Sequence, residues 1–512
     1  MFLWEEEGSN NQFMQRRNFL KKVQVGGLGL YMVPNVALGS TFDEAGIKGQ
    51  QRVPLQVVGT SSAISKDKRI AFGWAPHILD PDGTVLLKPE HLPREKHIFL
   101  RLSVAVEMWE QAILQVTVPD GKGTQLGVLD IRNSSVLVPY ELKIDSSHTD
   151  GINTYGIELR LLTPKPFGFF GEPGAAAANT VFSPHLLVSP KEKGAIDDFL
   201  NCFMSLNSIQ AFGWREGTVL DGLWQLYSQK GEERALEAIK EHFDLFFDGD
   251  NLKYENSRND PRDNEIDGIE STIPYATLAR ISPHHPILKT VIAAWDGYAQ
   301  ENGMVTGGAT ITAEGCYTVA YPMAVIGKAW NDNGLKKRAL EQLKHRFVLM
   351  EEEKLNLRYH TDTGTYTYKN WARGAAWTLL GFARTISELK GEMEDPEIMK
   401  MFKKGVDNAV AMQRGNGLWN GFMDTDNAPD TSGSAGISAA ILIGIREGVL
   451  PETYRRYAEK CWKALPGYLT PDGLLKGVSQ DNRGGVALQQ GDYRVIAQMG
   501  MGMMAQLYAE IT

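Results

Sequence analysis

Residues 433–445 read GSAGISAAILIGI, and residues 451–465 read PETYRRYAEKCWKAL. The first segment is apolar on every side and rich in Gly, Ala and Ser. A helix of that composition is buried all round. The second is charged on one face and apolar on the other, which suits a helix lying between core and solvent. The same couple recurs along the C-terminal part of the chain. Charged helices of the second kind are read at EERALEAIKEHFDLFF (232–247) and LKKRALEQLKHRFVLM (335–350), and AQMGMGMMAQL (497–507) repeats the first kind. Helix pairs at roughly 47–60-residue intervals are an array signal. The inner helices are read as starting near Gly213, Asp267, Glu314, Arg373, Gly433 and Asp492. Five outer helices follow inner ones, and a sixth around 194–208 precedes the first. Six inner and six outer helices close into an (α/α)6 barrel over residues 193–512.

Upstream the period changes. IFLRLSVAV (98–106), QAILQVTV (111–118), TQLGVLDI (124–131), SVLVPYELKI (135–144) and YGIELRLL (155–162) are rich in β-branched residues. Pro-Asp-Gly turns at 81–83 and 119–121 separate strands. Residues 50–190 are therefore expected to form a β-sandwich domain, with GEPGAAAANT (171–180) as a loop. The fold class expected is α+β multidomain, an N-terminal β-sandwich followed by an (α/α)6 barrel.

Further upstream, QRRNFLKK (15–22) leads into an apolar stretch from Val23 to Leu38. A basic region, a short apolar region and the small-residue ending Ala37-Leu38-Gly39 read as a signal peptide over residues 1–39. The Arg16-Arg17 pair resembles a twin-arginine export signal, which implies a periplasmic or secreted protein.

Composition narrows the function classes. The 512 residues carry 53 Lys+Arg against 62 Asp+Glu, a net charge of −9. No dense basic stripe occurs, so nucleic acid is not expected as a partner. No run of 18 apolar residues occurs, so no membrane partner is expected once the leader is removed. Cys202, Cys316 and Cys461 are scattered and form neither a disulfide framework nor a metal pair. No HExxH, Walker loop or GxSxG elbow stands in a supporting context, and no cofactor or metal is expected.

In such a barrel the inner helices run parallel, so their N-termini gather at one end. The loops feeding that end, LRYHTDTGTYTYKNW (357–371) and NGLWNGFMDTDNAPDTSG (416–433), are long and aromatic. That end is the expected site. Asp267 and Glu314 open neighbouring inner helices, and Glu270 lies one turn beyond Asp267. Carboxylates converging on one pocket can do acid–base work on a glycosidic bond, although a carboxylate in a first helical turn also simply suits the helix dipole. Arg373 and Trp377 are four residues apart, hence on one helix face. They offer a fork for a carboxylate and a flat platform for a sugar ring. Trp371, His360, Ser432 and Tyr493 complete the expected substrate-binding set. Ser432 equally suits a helix cap, and His360 a structural role.

NWARGAAWTLLGFAR (370–384), DTSGSA (430–435) and NEIDG (264–268) together carry a resemblance. Over residues 205–510 the chain resembles the unsaturated glucuronyl and rhamnogalacturonyl hydrolases of glycoside hydrolase families 88 and 105. The resemblance implies an (α/α)6 barrel and two catalytic aspartates. Asp267 matches the first, and Glu314 stands where the second is expected. It also implies that Arg373 and Trp377 bind the uronate and that His360 sits where such enzymes often place a histidine. In those families the acid protonates the C4=C5 bond of an unsaturated uronide, and water adds at C5. Glu in place of Asp, and the added strand domain, suit the related family 154, whose activity is β-glucuronidase.

The expected function is thus an exported, exo-acting glycoside hydrolase that releases a terminal uronic acid, β-linked glucuronic acid, from oligosaccharides. Glu314 is the expected general acid, with Asp267 or Glu270 as partner. The alternative is hydrolysis of 4,5-unsaturated products left by a lyase. A polysaccharide lyase and a non-catalytic sugar-binding protein are the further classes. A homo-oligomer is also admissible, and the strand domain is expected either to support one or to cover the pocket.

Overall fold

A computed structural model of the chain describes residues 50–172, 180–351 and 353–511. The expected leader (1–39) and most of the expected loop at 171–180 lie outside them.

The strand region comprises β1 (Gln51–Val58), β2 (Ala75–Leu79), β3 (Thr84–Pro89), β4 (His97–Ser103), β5 (Gln111–Val118), β6 (Thr124–Arg132), β7 (Pro139–Ile144), β8 (Ile157–Leu161), β9 (Phe167–Glu172) and β10 (His185–Ser189). Eight of them hydrogen-bond in the order β6-β5-β8-β3-β1-β10-β4-β7, and β2 pairs with β9. Every pairing is antiparallel. β1 changes neighbour midway: residues 51–54 pair with β10 and residues 55–58 with β3. Pro54, which has no N–H for a ladder, stands at the change. In β5 the alternation is plain, with Ala112, Leu114, Val116 and Val118 buried. β4 and β10 are buried along their whole length, because both of their faces are covered.

The helical region alternates outer and inner helices. The outer set is α1 (Ile196–Phe203), α3 (Glu233–Phe246), α5 (Ile287–Gly297), α7 (Asn333–His345), α9 (Pro396–Ala411) and α11 (Arg455–Ala464). The inner set is α2 (Trp214–Lys230), α4 (Pro274–Ile281), α6 (Tyr321–Ala329), α8 (Ala372–Leu389), α10 (Thr431–Arg446) and α12 (Gln498–Glu510). Each inner helix packs on the next, and α12 closes on α2 to complete an (α/α)6 barrel. All residues of α10 from Thr431 to Gly444 are buried, whereas α3 buries only Ala235, Ala238, Ile239, His242, Phe243 and Phe246. The small residues of the inner helices have a packing reason. A Cβ at Gly381 of α8 would lie 2.3 Å from the carbonyl carbon of Cys316, so only glycine allows that approach. Among the described residues no helix is long and apolar enough to cross a membrane.

Strand and helical regions meet through buried charges. Arg101 on β4 lies between Glu141 (2.6 Å) and Asp472 (3.0 Å), and Arg52 also reaches Asp472 (3.0 Å). The last inner helix begins later than expected. Asp492 precedes a short strand, Arg494–Val495, paired with Val478–Ser479, and the helix starts only at Gln498.

Candidate active site

At the end of the barrel where the inner helices begin, a cavity of about 200 Å³ is lined by residues from widely separated segments of the helical region. Trp214 and Arg215 open α2. Glu270 sits in a 3-10 turn, Ile269–Thr272, just before α4. Glu314 precedes a π-helical turn, Cys316–Ala320, that leads into α6. Such turns recur at functional sites, because the extra residue re-aims the side chains beside it. Trp371, Arg373 and Trp377 belong to the start of α8. Asp481, Asn482 and Arg483 come from the chain before α12, and Ser257 from the loop before Glu270. Arg358 enters on a small sheet of three strands, Thr310–Thr312, Asn356–His360 and Thr365–Lys369. There it stands opposite Thr312, two residues from Glu314.

The cavity holds opposed charges. Burial raises the pKa of Glu270 to about 7, and the negative charges of Glu314 and Asp481 add to that rise. Burial also raises Glu314, against the pull of Arg358 and Arg373. Glu314 Oε2 is buried with no hydrogen-bond partner among the described residues. Asp481 behaves oppositely. Burial opposes its charge, but Arg215, Arg483 and Arg373 outweigh burial and hold it at about 2. It is ion-paired to Arg215 and, at 3.3 Å, to Arg483. Near neutral pH, then, Asp481 is a fixed anion, whereas burial and the neighbouring negative charges favour the protonated form of Glu270.

Aromatic rings form the walls. Trp377 stacks on Tyr317 at 5.7 Å with planes 22° apart, and it meets Trp214 edge-on at 5.6 Å. Tyr317 is itself anchored below: its hydroxyl donates to buried Asp221 (2.5 Å), as does that of Tyr321 (2.6 Å). Gln506 of α12 donates to the Tyr317 hydroxyl (2.9 Å). The cavity floor is thus tied to three inner helices, to α2 and α6 through Asp221 and to α12 through the Tyr317 hydroxyl.

Of the residues expected from the sequence, Glu270, Glu314, Arg373, Trp371 and Trp377 come together here. The other four do not. Asp267 is exposed and faces Arg262 at 3.9 Å outside the cavity. Gly268, at φ 81°, redirects the chain between Asp267 and Glu270. His360 bonds to the hydroxyls of Thr310 (3.3 Å) and Thr367 (3.2 Å) within its own sheet. Ser432 caps α10 together with Asp430, to which both its N–H (3.0 Å) and its hydroxyl (2.6 Å) donate. Tyr493 docks on β6, donating to the Asp130 carbonyl (3.0 Å) and accepting from the Arg132 N–H (3.0 Å).

Arg373 lines the cavity, but its two terminal nitrogens are already engaged. They donate to the carbonyls of Ser479 (2.6 Å) and Gln480 (2.7 Å), and the guanidinium stacks on Trp371 at 4.6 Å. The cation with capacity to spare is Arg358. It lies 5.8 Å from the Tyr368 ring, and among the described residues no hydrogen bond or ion pair holds its guanidinium. Sequence reasoning missed Arg358, although the aromatic loop 357–371 pointed to its neighbourhood. It also missed Asp481, Asn482 and Arg483, for which no motif signalled a role. Among the described residues no group of three or more His, Cys, Asp or Glu is arranged to hold a metal ion.

The pattern of Glycosyl Hydrolase Family 88 matches residues 197–512. Among solved structures, a possible member of the GH105 family from Salmonella enterica subsp. enterica serovar Paratyphi A superposes with a TM-score of 0.52 at 18% identity, over 58% of this chain and 82% of that one. A possible GH105 member from Klebsiella pneumoniae subsp. pneumoniae gives 0.50 at 18% identity over the same shares. A polysaccharide lyase also gives 0.50 at 18% identity, over 62% of this chain and 94% of that one. No curated protein matches the sequence. These likenesses share the barrel; since a lyase is among them, the barrel alone does not select the reaction.

Proposed function

The chain belongs to Glycosyl Hydrolase Family 88 and is a glycoside hydrolase, and from that premise we propose that it removes a terminal 4,5-unsaturated uronic acid from oligosaccharides. One observation carries the reading. Two glutamates whose carboxyls are both shifted upward, Glu270 and Glu314, line a cavity that also presents Arg358, whose guanidinium no hydrogen bond or ion pair engages among the described residues. The uronate carboxylate pairs with Arg358, and the sugar ring lies against Trp377. Trp371 Nε1, buried and without a hydrogen-bond partner among the described residues, donates to a sugar hydroxyl.

The glutamates divide the acid–base work. Glu314 faces the positive charges of Arg358 and Arg373 and is the anion of the pair; Glu270 holds the proton. Glu270 delivers it to C4 of the C4=C5 bond. Water adds at C5, and Glu314 takes its proton. The C5 hemiketal then opens to a ketone as its bond to the ring oxygen breaks, the hydroxyl proton passing to that oxygen. The C1 hemiacetal so formed collapses to an aldehyde, and its hydroxyl proton leaves with the shortened oligosaccharide. The pair keeps one proton throughout, transferred from Glu270 to Glu314. Glu270 is thus the donor and Glu314 the acceptor, the reverse of the roles expected from the sequence, and of the two expected partners of Glu314 this reading takes Glu270 and not Asp267.

A second reading has a specific observation in its favour. Both acids are glutamates, as suits hydrolysis of a saturated β-glucuronide. The family supports the first reading more. A paired assay separates them, with loss of ultraviolet absorbance from a 4,5-unsaturated uronyl disaccharide on one side and chromophore release from a β-glucuronide on the other. Chromophore release alone would overturn the unsaturated reading. We further propose that the strand region is a two-layered sandwich sharing β1, and that the protein works outside the cytoplasm after twin-arginine export.

A further inference from the structure

Trp109, in the loop between β4 and β5, is a large apolar side chain that is 46% exposed yet firmly held. Its indole N–H donates to Glu107 Oε2 (3.0 Å), and Glu107 is itself ion-paired to Arg483. The Arg483 guanidinium lies 4.4 Å from the Trp109 ring, and that of Arg258 lies 5.8 Å from it. The Glu107 N–H donates to Asn259 Oδ1 (3.0 Å), so the loop carrying Ser257 and Arg258 is docked on the same strand-region loop. Arg483 and Ser257 line the cavity, which puts Trp109 one guanidinium away from it.

We propose that the strand region adds a second sugar subsite at the mouth of this cavity, with Trp109 as the platform and Arg258 as the anion-binding group, for the sugar next to the terminal uronic acid. The proposal rests on the uronic-acid reading for the identity of the terminal sugar alone. An exposed indole whose orientation is already set loses little freedom on stacking against a sugar ring. Arg483 is neutralised by Glu107 and Asp481. Arg258 is exposed, and among the described residues it has no ion pair, so it is the cation open to a ligand. The second sugar is therefore one bearing a carboxylate or a sulfate. Trp109 lies outside residues 197–512, so the stacking platform of this subsite comes from outside the part of the chain that matches the family, whereas Arg258 belongs to that part.

The test compares full-length wild type, Trp109→Ala, Trp109→Phe and Arg258→Ala. The substrates are an aryl uronide and oligosaccharides with a terminal uronic acid whose second sugar is neutral, carboxylated or sulfated. Trp109→Ala is expected to lower the ratio of kcat/KM on oligosaccharide to kcat/KM on aryl uronide about tenfold, with Trp109→Phe restoring most of it. Arg258→Ala lowers that ratio for anionic second sugars only, and the carboxylated and sulfated arms show which anion it prefers. Equal losses on both substrate types, or none, overturn the subsite. Should wild type turn over none of these substrates, the uronic-acid reading falls. Titration of wild type and Trp109→Ala with anionic oligosaccharides then judges the subsite by itself: weaker binding by the variant supports it, and equal binding rejects it.

Discussion

The charge of Glu314 helps raise the pKa of Glu270 to about 7. The two residues are far apart in sequence and stand at the entrances of neighbouring inner helices. Their pairing turns two ordinary carboxyls into a proton donor and a proton acceptor at one pH.

Activity is expected to fall as pH rises through about 7, where Glu270 loses the proton it must donate. It is expected to fall again in acid, once Glu314 is protonated. A profile of kcat/KM against pH checks this, and a rate still climbing well above pH 8 would rule out Glu270 as donor.

Glu270 also makes a stability prediction. Its folded pKa is raised above the usual 4.5 of a glutamate, so the folded state binds more protons than the unfolded one between 4.5 and about 7. Stability from this group is full below about 4.5 and is lost as pH rises to about 7. Glu270→Gln should therefore stabilise the protein at pH 8, by no more than about 3 kcal/mol, and change little at pH 4. Thermal melts of both proteins at the two pH values measure it.

Arg358 and Arg373 should respond differently to loss. Arg358→Ala is expected to lower kcat/KM on a uronide about 10²-fold while leaving the melting temperature nearly unchanged. Arg373→Ala removes the side-chain donor of the Ser479 carbonyl and one of the two donors of the Gln480 carbonyl, which keeps Gln489 Nε2, at a cost of about 1–3 kcal/mol, and should lower the melting temperature first. Equal melting temperatures for the two variants would contradict this division.

Gly315 permits the turn that aims Glu314. A Cβ there would lie 2.1 Å from Arg346 Nη2, and Arg346 is buried with its nitrogens on the carbonyls of Thr312, Gln342 and Val305. Gly315→Ala is expected to cost about 1–3 kcal/mol and most of the activity. Near-normal turnover with an unchanged melt would show that the turn tolerates the shift.

At the junction of strands and barrel, Asp472→Asn leaves Arg101 buried against Glu141 alone. Breaking a buried pair of this kind costs about 3–5 kcal/mol, readable as a lowered denaturation midpoint in urea.

Much of this was legible in the chain itself. The inner helices announced themselves by being apolar all round, and the outer ones by their charged faces. Glu314, Arg373, Trp371 and Trp377 followed from their places at helix starts. Asp267 was misplaced because a single left-handed glycine, Gly268, decides which of two nearby carboxyls turns inward. Ser432 and Tyr493 were drawn in by position, but the first completes a helix cap and the second clasps a strand.

Periodicity alone determined the architecture, because burial acts on every residue of a helix and writes itself along the sequence. The tertiary structure decided the chemistry. Which arginine is spent on backbone carbonyls, and which is left for a ligand, depends on neighbours brought in from distant segments: Ser479 and Gln480 for Arg373, and Tyr368 for Arg358. The raised pKa of Glu270 beside Glu314 likewise arises only when two helix entrances meet in one cavity. Charge and burial act through space, and no local pattern of residues records them.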